Sequence, residues 1–169
     1  ILYFDTFKDF NEEFKLGKGD ILVTNEWMYN PYVQPLGIDI PVIFQEKYGK
    51  GEPSDEMIDA IAKDMKEYSY DRIVAFGGGT IVDICKILCL DLPEQSVKVF
   101  TKEVPAKKVK ELIVIPTTCG TGSEVTNVAV AELKSLHVKM GLAVDETYAD
   151  KAVLIPESLQ GLPDYVFAT

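Results

Sequence analysis

Arg72-Ile-Val-Ala-Phe-Gly-Gly-Gly-Thr-Ile-Val-Asp-Ile-Cys-Lys-Ile-Leu-Cys-Leu90 is the stretch whose reading decides the fold. An apolar run enters three successive glycines, Gly77 to Gly79, and leaves them as a helical pattern with Ile81, Ile84, Cys85, Leu88 and Cys89 on one side. The periodicity predicts strand, tight turn and helix. Glycines carry no Cβ, so backbone N–H groups there can come close to a ligand, and Thr80 adds a hydroxyl at the helix start. Unpaired N–H groups of the first turn and the positive end of the helix dipole suit a phosphate. The spacing is neither Gly-x-Gly-x-x-Gly nor the mononucleotide loop ending in Gly-Lys-Ser/Thr. On this stretch alone, the glycines serve equally well to pack a helix close to a strand.

A second stretch bears on that choice. Leu112 to Pro116 is another short apolar run, and it opens into Thr117-Thr118-Cys119-Gly120-Thr121-Gly122-Ser123-Glu124. In an open parallel sheet the loops at the carboxyl ends of the strands line the ligand crevice, so two such loops can face one ligand. Their hydroxyls suit ribose and phosphate oxygens.

Together these residues resemble the amino-terminal domain of the iron-containing alcohol dehydrogenase family. The likeness is carried by Gly77-Gly78-Gly79-Thr80 with Asp83 and Lys86, and by Pro116-Thr117-Thr118-Cys119-Gly120-Thr121-Gly122-Ser123-Glu124-Val125-Thr126. Gln45 to Glu56 and Lys139-Met140-Gly141-Leu142-Ala143 are similar to the 4-hydroxybutyrate dehydrogenase branch, and the likeness extends over nearly all 169 residues.

The resemblance implies reversible hydride transfer between a nicotinamide cofactor and a primary alcohol or aldehyde, with Fe²⁺ or another divalent metal polarising the substrate oxygen. Carried over residue by residue, Gly78, Gly79 and Thr80 hold the pyrophosphate. Asp83 fixes the turn and approaches the nicotinamide side. Thr117, Thr118 and Thr121 bond phosphate and ribose oxygens. Val130 packs near the nicotinamide, Lys139 reaches its ribose, and Asn25 serves the adenosine end. Many family members carry Asp where Asn25 stands; without that charge, the preference for NAD over NADP is expected to be weaker. Glu52 stands where members often carry Asn.

The family's metal ligands, one Asp and three His, come from an all-helical second domain. Residues 1–169 are therefore expected to form one dinucleotide-binding domain, the amino-terminal part of a larger enzyme, with no catalytic or metal residues of its own and no turnover by itself. The family's first segment pairs as a strand with a partner subunit, which implies a homodimer. The alternatives are a less selective short-chain alcohol or diol dehydrogenase and, in another class, a non-catalytic nucleotide-binding module.

Composition agrees with an ordinary globular chain, 47% hydrophobic and 26% charged, with no apolar run long enough to cross a bilayer. Asp and Glu outnumber Lys and Arg by 27 to 17, which disfavours nucleic acid and anionic membrane surfaces. Three cysteines without a secretion signal point to a reducing cytoplasm. Cys85 and Cys89 read as small buried residues, Cys119 lacks an imidazole partner, and His137 matches no family ligand.

The remaining periodicity predicts an α/β fold: a Rossmann-like, doubly wound, mostly parallel sheet with an added β-hairpin. Helical patterns cover Phe7 to Phe14 and the segment capped by Ser54, which buries Ile58, Ile61, Ala62 and Met65. Strands are expected at Ile21–Thr24, Val42–Phe44, Asn127–Glu132, His137–Leu142 and Ala152–Ile155. Trp27, Tyr29 and Tyr32 read as packing under a connecting segment. Leu162-Pro163 leads toward a further helix.

Overall fold

The computed structural model describes residues 1–162; the helix expected after Pro163 lies outside them. Six strands form one sheet: β1 (Leu2–Tyr3), β2 (Gly19–Thr24), β3 (Val42–Phe44), β4 (Tyr70–Gly77), β5 (Glu111–Pro116) and, after the hairpin, β8 (Lys151–Leu154). The hairpin itself is β6 (Val128–Leu133) and β7 (Val138–Ala143), antiparallel and separate from the main sheet. The order across the sheet is β1-β8-β5-β4-β2-β3, and every neighbouring pair is parallel.

The apolar runs are unbroken because both faces are covered. Successive side chains on a strand point to opposite faces. Ile73 and Ala75 of β4, Leu112 and Val114 of β5, and Ile21 and Val23 of β2 enter one core, with α3 (Asp55–Met65) and α4 (Gly79–Leu88). Val74, Phe76, Ile113, Ile115 and Leu22 enter the other, with Phe7 and Phe10 of α1 (Phe7–Phe14) and Met28 of α2 (Glu26–Tyr32). A four-residue helix, α5 (Val97–Phe100), is the helical part of the polar stretch before β5.

Local chemistry fixes the helix starts. The Thr6 hydroxyl accepts from Asp9 N–H before α1, and the Ser54 hydroxyl accepts from Met57 N–H before α3, each satisfying a first-turn donor. The hairpin is held from two sides. Asp83 on α4 accepts from Val130 N–H at 3.2 Å, and Lys86 donates to the Val128 carbonyl at 2.9 Å. Near α3, Glu132 N–H donates to the Pro53 carbonyl and Lys134 N–H to Asp55.

The order of strands places a switch point between β2 and β4. From β2 the chain moves outward to β3, whereas from β4 it moves the other way to β5 and β8. Ligand crevices in such sheets open outside the carboxyl ends of the strands at that reversal. At the opposite margin β1 is paired, among the described residues, on one side only, with Ile1 and Tyr3 exposed.

Candidate functional site

A cleft of about 840 Å³ opens at the switch point. It is lined by Asn25 after β2, Gln45 and Glu46 after β3, Gly78 to Ile81 after β4, and Thr117 and Thr118 after β5. A smaller depression of about 280 Å³ adjoins it, lined by Glu52, Pro53, Thr80, Asp83, Val130, Ala131 and Lys139. Thr80 borders both, so the start of α4 stands between them.

The two readings of the glycines divide among the residues. A Cβ on Gly77 would lie 2.5 Å from Ile81 Cδ1 and 3.0 Å from Ile81 Cβ, so Gly77 lets helix and strand approach. Among the described residues, Cβ atoms on Gly78 and Gly79 would meet only Thr118 and Ser123 side chains, at 3.7 and 3.9 Å, and would occupy cleft space. Gly78 is the cap residue of α4, and a glycine offers no side-chain cap to the helix start. The first-turn N–H groups are thus left to face the cleft, a fit for an anionic ligand.

The loop after β5 completes the wall. Thr117 N–H donates to the Gly77 carbonyl at 3.0 Å, aligning the two loops where they leave the sheet. Gly120 and Gly122 adopt positive φ, 88° and 65°, and a Cβ on either would meet nothing within 4 Å among the described residues. Lys86, whose side chain is buried within the protein, reaches back to the Thr126 hydroxyl at 3.2 Å. Burial lowers the Lys86 pKa, opposed by the nearby Asp83 and Glu124 carboxylates.

Of the ten residues singled out in the sequence, Asn25, Gly78, Gly79, Thr80, Thr117 and Thr118 line the larger cleft, and Asp83, Val130 and Lys139 line the smaller one with Thr80. Thr121 lines neither; its hydroxyl accepts from Ser123 N–H at 3.4 Å. The Asp83 carboxylate holds the hairpin through Val130, and burial raises its pKa against the pull of that N–H and of Lys86. Lys139 is exposed, and its ammonium meets Glu52 Oε1 at 2.7 Å. Asn25 is buried and donates to Gln45 Oε1 at 3.2 Å and Glu46 Oε2 at 2.9 Å.

Three features escaped sequence reasoning. Trp27 is 64% exposed and lines the cleft instead of packing beneath a loop; Tyr29 and Tyr32 do pack as expected, edge-on to Phe44 and Phe76, and Tyr32 borders the cleft as well. Gln45 and Glu46 also enter the cleft. Their place follows from strand register, which the sequence pattern does not give: β2 and β3 pair as Thr24↔Phe44, which brings the residues that follow each strand side by side.

The cysteines behave as their positions imply. Burial pushes the Cys85 thiol well above its ordinary pKa and Cys89 up to about 11, so both are inert core groups. Cys119 is exposed, and His137 is an exposed residue with φ 54° at the turn between β6 and β7. Among the described residues no three His, Cys, Asp or Glu side chains form a metal site, so these residues do not fit a metal centre. Among them, too, no helix is long and apolar enough to cross a membrane.

Comparison with known proteins adds a family and a set of relatives. Residues 4–156 match the family model of iron-containing alcohol dehydrogenase. The chain is 54% identical over 166 residues to 4-hydroxybutyrate dehydrogenase of Clostridium kluyveri, covering 98% of this chain but 45% of that protein. Among solved structures, sulfoacetaldehyde reductase from Bifidobacterium kashiwanohense in complex with NAD⁺ superposes with a TM-score of 0.81 at 24% identity, covering 99% of this chain and 47% of that one. An iron-containing alcohol dehydrogenase from Thermococcus thioreducens gives 0.74 at 25% identity, covering 98% of this chain and 47% of that one. The chain therefore spans about half the length of the relatives it matches.

Proposed function

The chain belongs to the iron-containing alcohol dehydrogenase family, and from that premise we propose that it is the cofactor-binding part of an NAD-dependent 4-hydroxybutyrate dehydrogenase. The observation that carries the cofactor reading is the start of α4, free of Cβ atoms at Gly78 and Gly79 and free of a side-chain cap, opening on the cleft opposite Thr117 and Thr118. The identity of 54% to the Clostridium kluyveri enzyme supports the substrate.

In this reading N–H groups of Gly78, Gly79 and Thr80 hold the pyrophosphate, and Thr117 and Thr118 bond phosphate and ribose oxygens; Thr121, which lines neither cleft, is given no contact. Asn25 lies toward the adenosine. The smaller depression takes the nicotinamide ribose, with Val130 against the ring, Asp83 beside it and Lys139 on the ribose hydroxyls. The hydroxyl-bearing carbon of 4-hydroxybutyrate gives a hydride to the nicotinamide, its hydroxyl loses a proton, and succinic semialdehyde results. A divalent metal, when bound, polarises that oxygen; its ligands belong to a part of the enzyme other than the described residues. The open side of β1 supports pairing with a second subunit. Free thiols, Cys119 exposed among them, support a cytoplasmic location.

The test is cofactor oxidation by the full-length protein supplied with Fe²⁺ under reducing conditions, with succinic semialdehyde against butyraldehyde. A preference for succinic semialdehyde with NADH supports the reading. Equal rates would move it to a less selective alcohol dehydrogenase, and no rate, with NADH still bound, to a non-catalytic nucleotide-binding module. Gly79→Val, whose Cβ would lie 3.9 Å from Ser123 Oγ in the phosphate seat, should weaken NADH binding roughly 100-fold in a fluorescence titration; unchanged affinity would remove the seat from α4.

A further inference from the structure

We propose that Glu46 sets the choice between NAD and NADP, by holding a carboxylate where the 2′-phosphate of NADP would lie; the proposal rests on the cofactor reading above. Position 25, at the end of β2, carries an amide, and an amide alone offers no repulsion to an extra phosphate. The structure supplies the missing charge from the neighbouring strand. Glu46 follows β3, and both of its oxygens are fixed: Oε2 accepts from Asn25 Nδ2 at 2.9 Å and Oε1 from Glu26 N–H at 2.6 Å. Asn25 is itself buried and also bonds Gln45, so it acts as a bracket for the carboxylate.

Glu46 lines the cleft together with Asn25 and Gln45. Each carboxylate oxygen has acceptor capacity left after one bond, enough to receive the hydroxyls of an unmodified ribose. An acidic side chain at the end of a neighbouring strand serves that purpose in other doubly wound folds, and a 2′-phosphate there meets like charge. Two cations are close in sequence. The Lys47 ammonium lies 4.9 Å from the centre of the Phe44 ring, and Lys50 lines the cleft from an exposed loop. With Glu46 intact its charge opposes the attraction of Lys50 for a phosphate. Once Glu46 is neutral, Lys50 is the charged group left to act on it. The weaker NAD preference expected from Asn25 alone is therefore reversed.

Binding of NADH and NADPH to the full-length protein, followed by nucleotide fluorescence, tests this. The wild type should favour NADH by tenfold or more. Glu46→Gln should narrow that ratio by at least roughly tenfold, by tightening NADPH and weakening NADH, while an unchanged midpoint in chemical denaturation reports an intact fold. Glu26→Gln, a neighbouring carboxylate that does not line the cleft, should leave the ratio within about twofold. Binding of both nucleotides with a ratio unmoved by Glu46→Gln, or moved equally by Glu26→Gln, overturns the role of Glu46 and leaves the cofactor site standing. Failure of the wild type to bind either nucleotide overturns the cofactor site and this role with it.

Discussion

The loops that leave β4 and β5 start side by side, joined by the bond from Thr117 N–H to the Gly77 carbonyl, yet they are held by different means. The first is fixed by packing: Gly77 sits against Ile81, and α4 behind it is buried almost throughout. The second runs through two glycines at positive φ with open space around them, and its Cys119 and Val125 are exposed. One anchor toward the core is Lys86 on Thr126. Segments with few buried contacts open at lower free energy than the core. One wall of the cleft is thus preset by the core, and the other is tethered to it near its far end, by Lys86 on the Thr126 hydroxyl and by the Thr147 hydroxyl on the Asn127 carbonyl.

Three substitutions can break or sharpen that contrast. Gly77→Ala should have the largest effect, because Ile81 Cβ at 3.0 Å cannot swing away as its terminal carbon can. We expect a loss of about 3 kcal/mol in chemical denaturation, global and cooperative. A cost below about 1 kcal/mol would mean that the first loop is no more rigid than the second. Lys86→Met should cost less, ~2 kcal/mol, since it leaves the Val128 carbonyl without its partner while removing a charge that burial already disfavours. Its distinctive readout is faster proteolysis between Thr117 and Asn127 than elsewhere. Uniform proteolysis would dissolve the distinction between the loops.

Asp83→Asn should be the mildest at neutral pH, within about 1 kcal/mol, because an amide oxygen can still accept from Val130 N–H. Its pH dependence carries the information. Burial raises the folded-state pKa of Asp83 above its ordinary value of 3.8. A raised carboxyl contributes stability that is full below the unfolded value and is lost as pH rises through the folded value. Wild type should therefore lose stability relative to Asp83→Asn as pH climbs from below 3.8 through that range. The opposite slope in denaturation series would show that Val130 and Lys86 outweigh burial.

Much of the fold was legible because it depends on short-range pattern. Unbroken apolar runs at β2, β4 and β5 announce strands covered on both faces, and Ser54 announces the start of α3. The glycine turn was legible as a turn but not as a division of labour, because that depends on where Ile81 packs. The tie between Asn25 and Glu46 spans 21 positions and follows from strand register, which periodicity alone does not give. Trp27 was misplaced because an aromatic residue was assigned to a core when the cleft, too, has an apolar wall.

The hairpin arrives already docked. Bonds from Asp83 and Lys86 on one side, and from Pro53 and Asp55 on the other, fix β6 and β7 against α4 and the start of α3, and Glu52 holds the Lys139 ammonium. The consequence is entropic. Ordering a segment on binding costs free energy, and here folding has ordered the strands that carry Lys139 beforehand, while the lysine itself is held by an exposed, weak ion pair. What a ligand at Lys139 must supply is an exchange: a partner good enough to share or replace the carboxylate of Glu52.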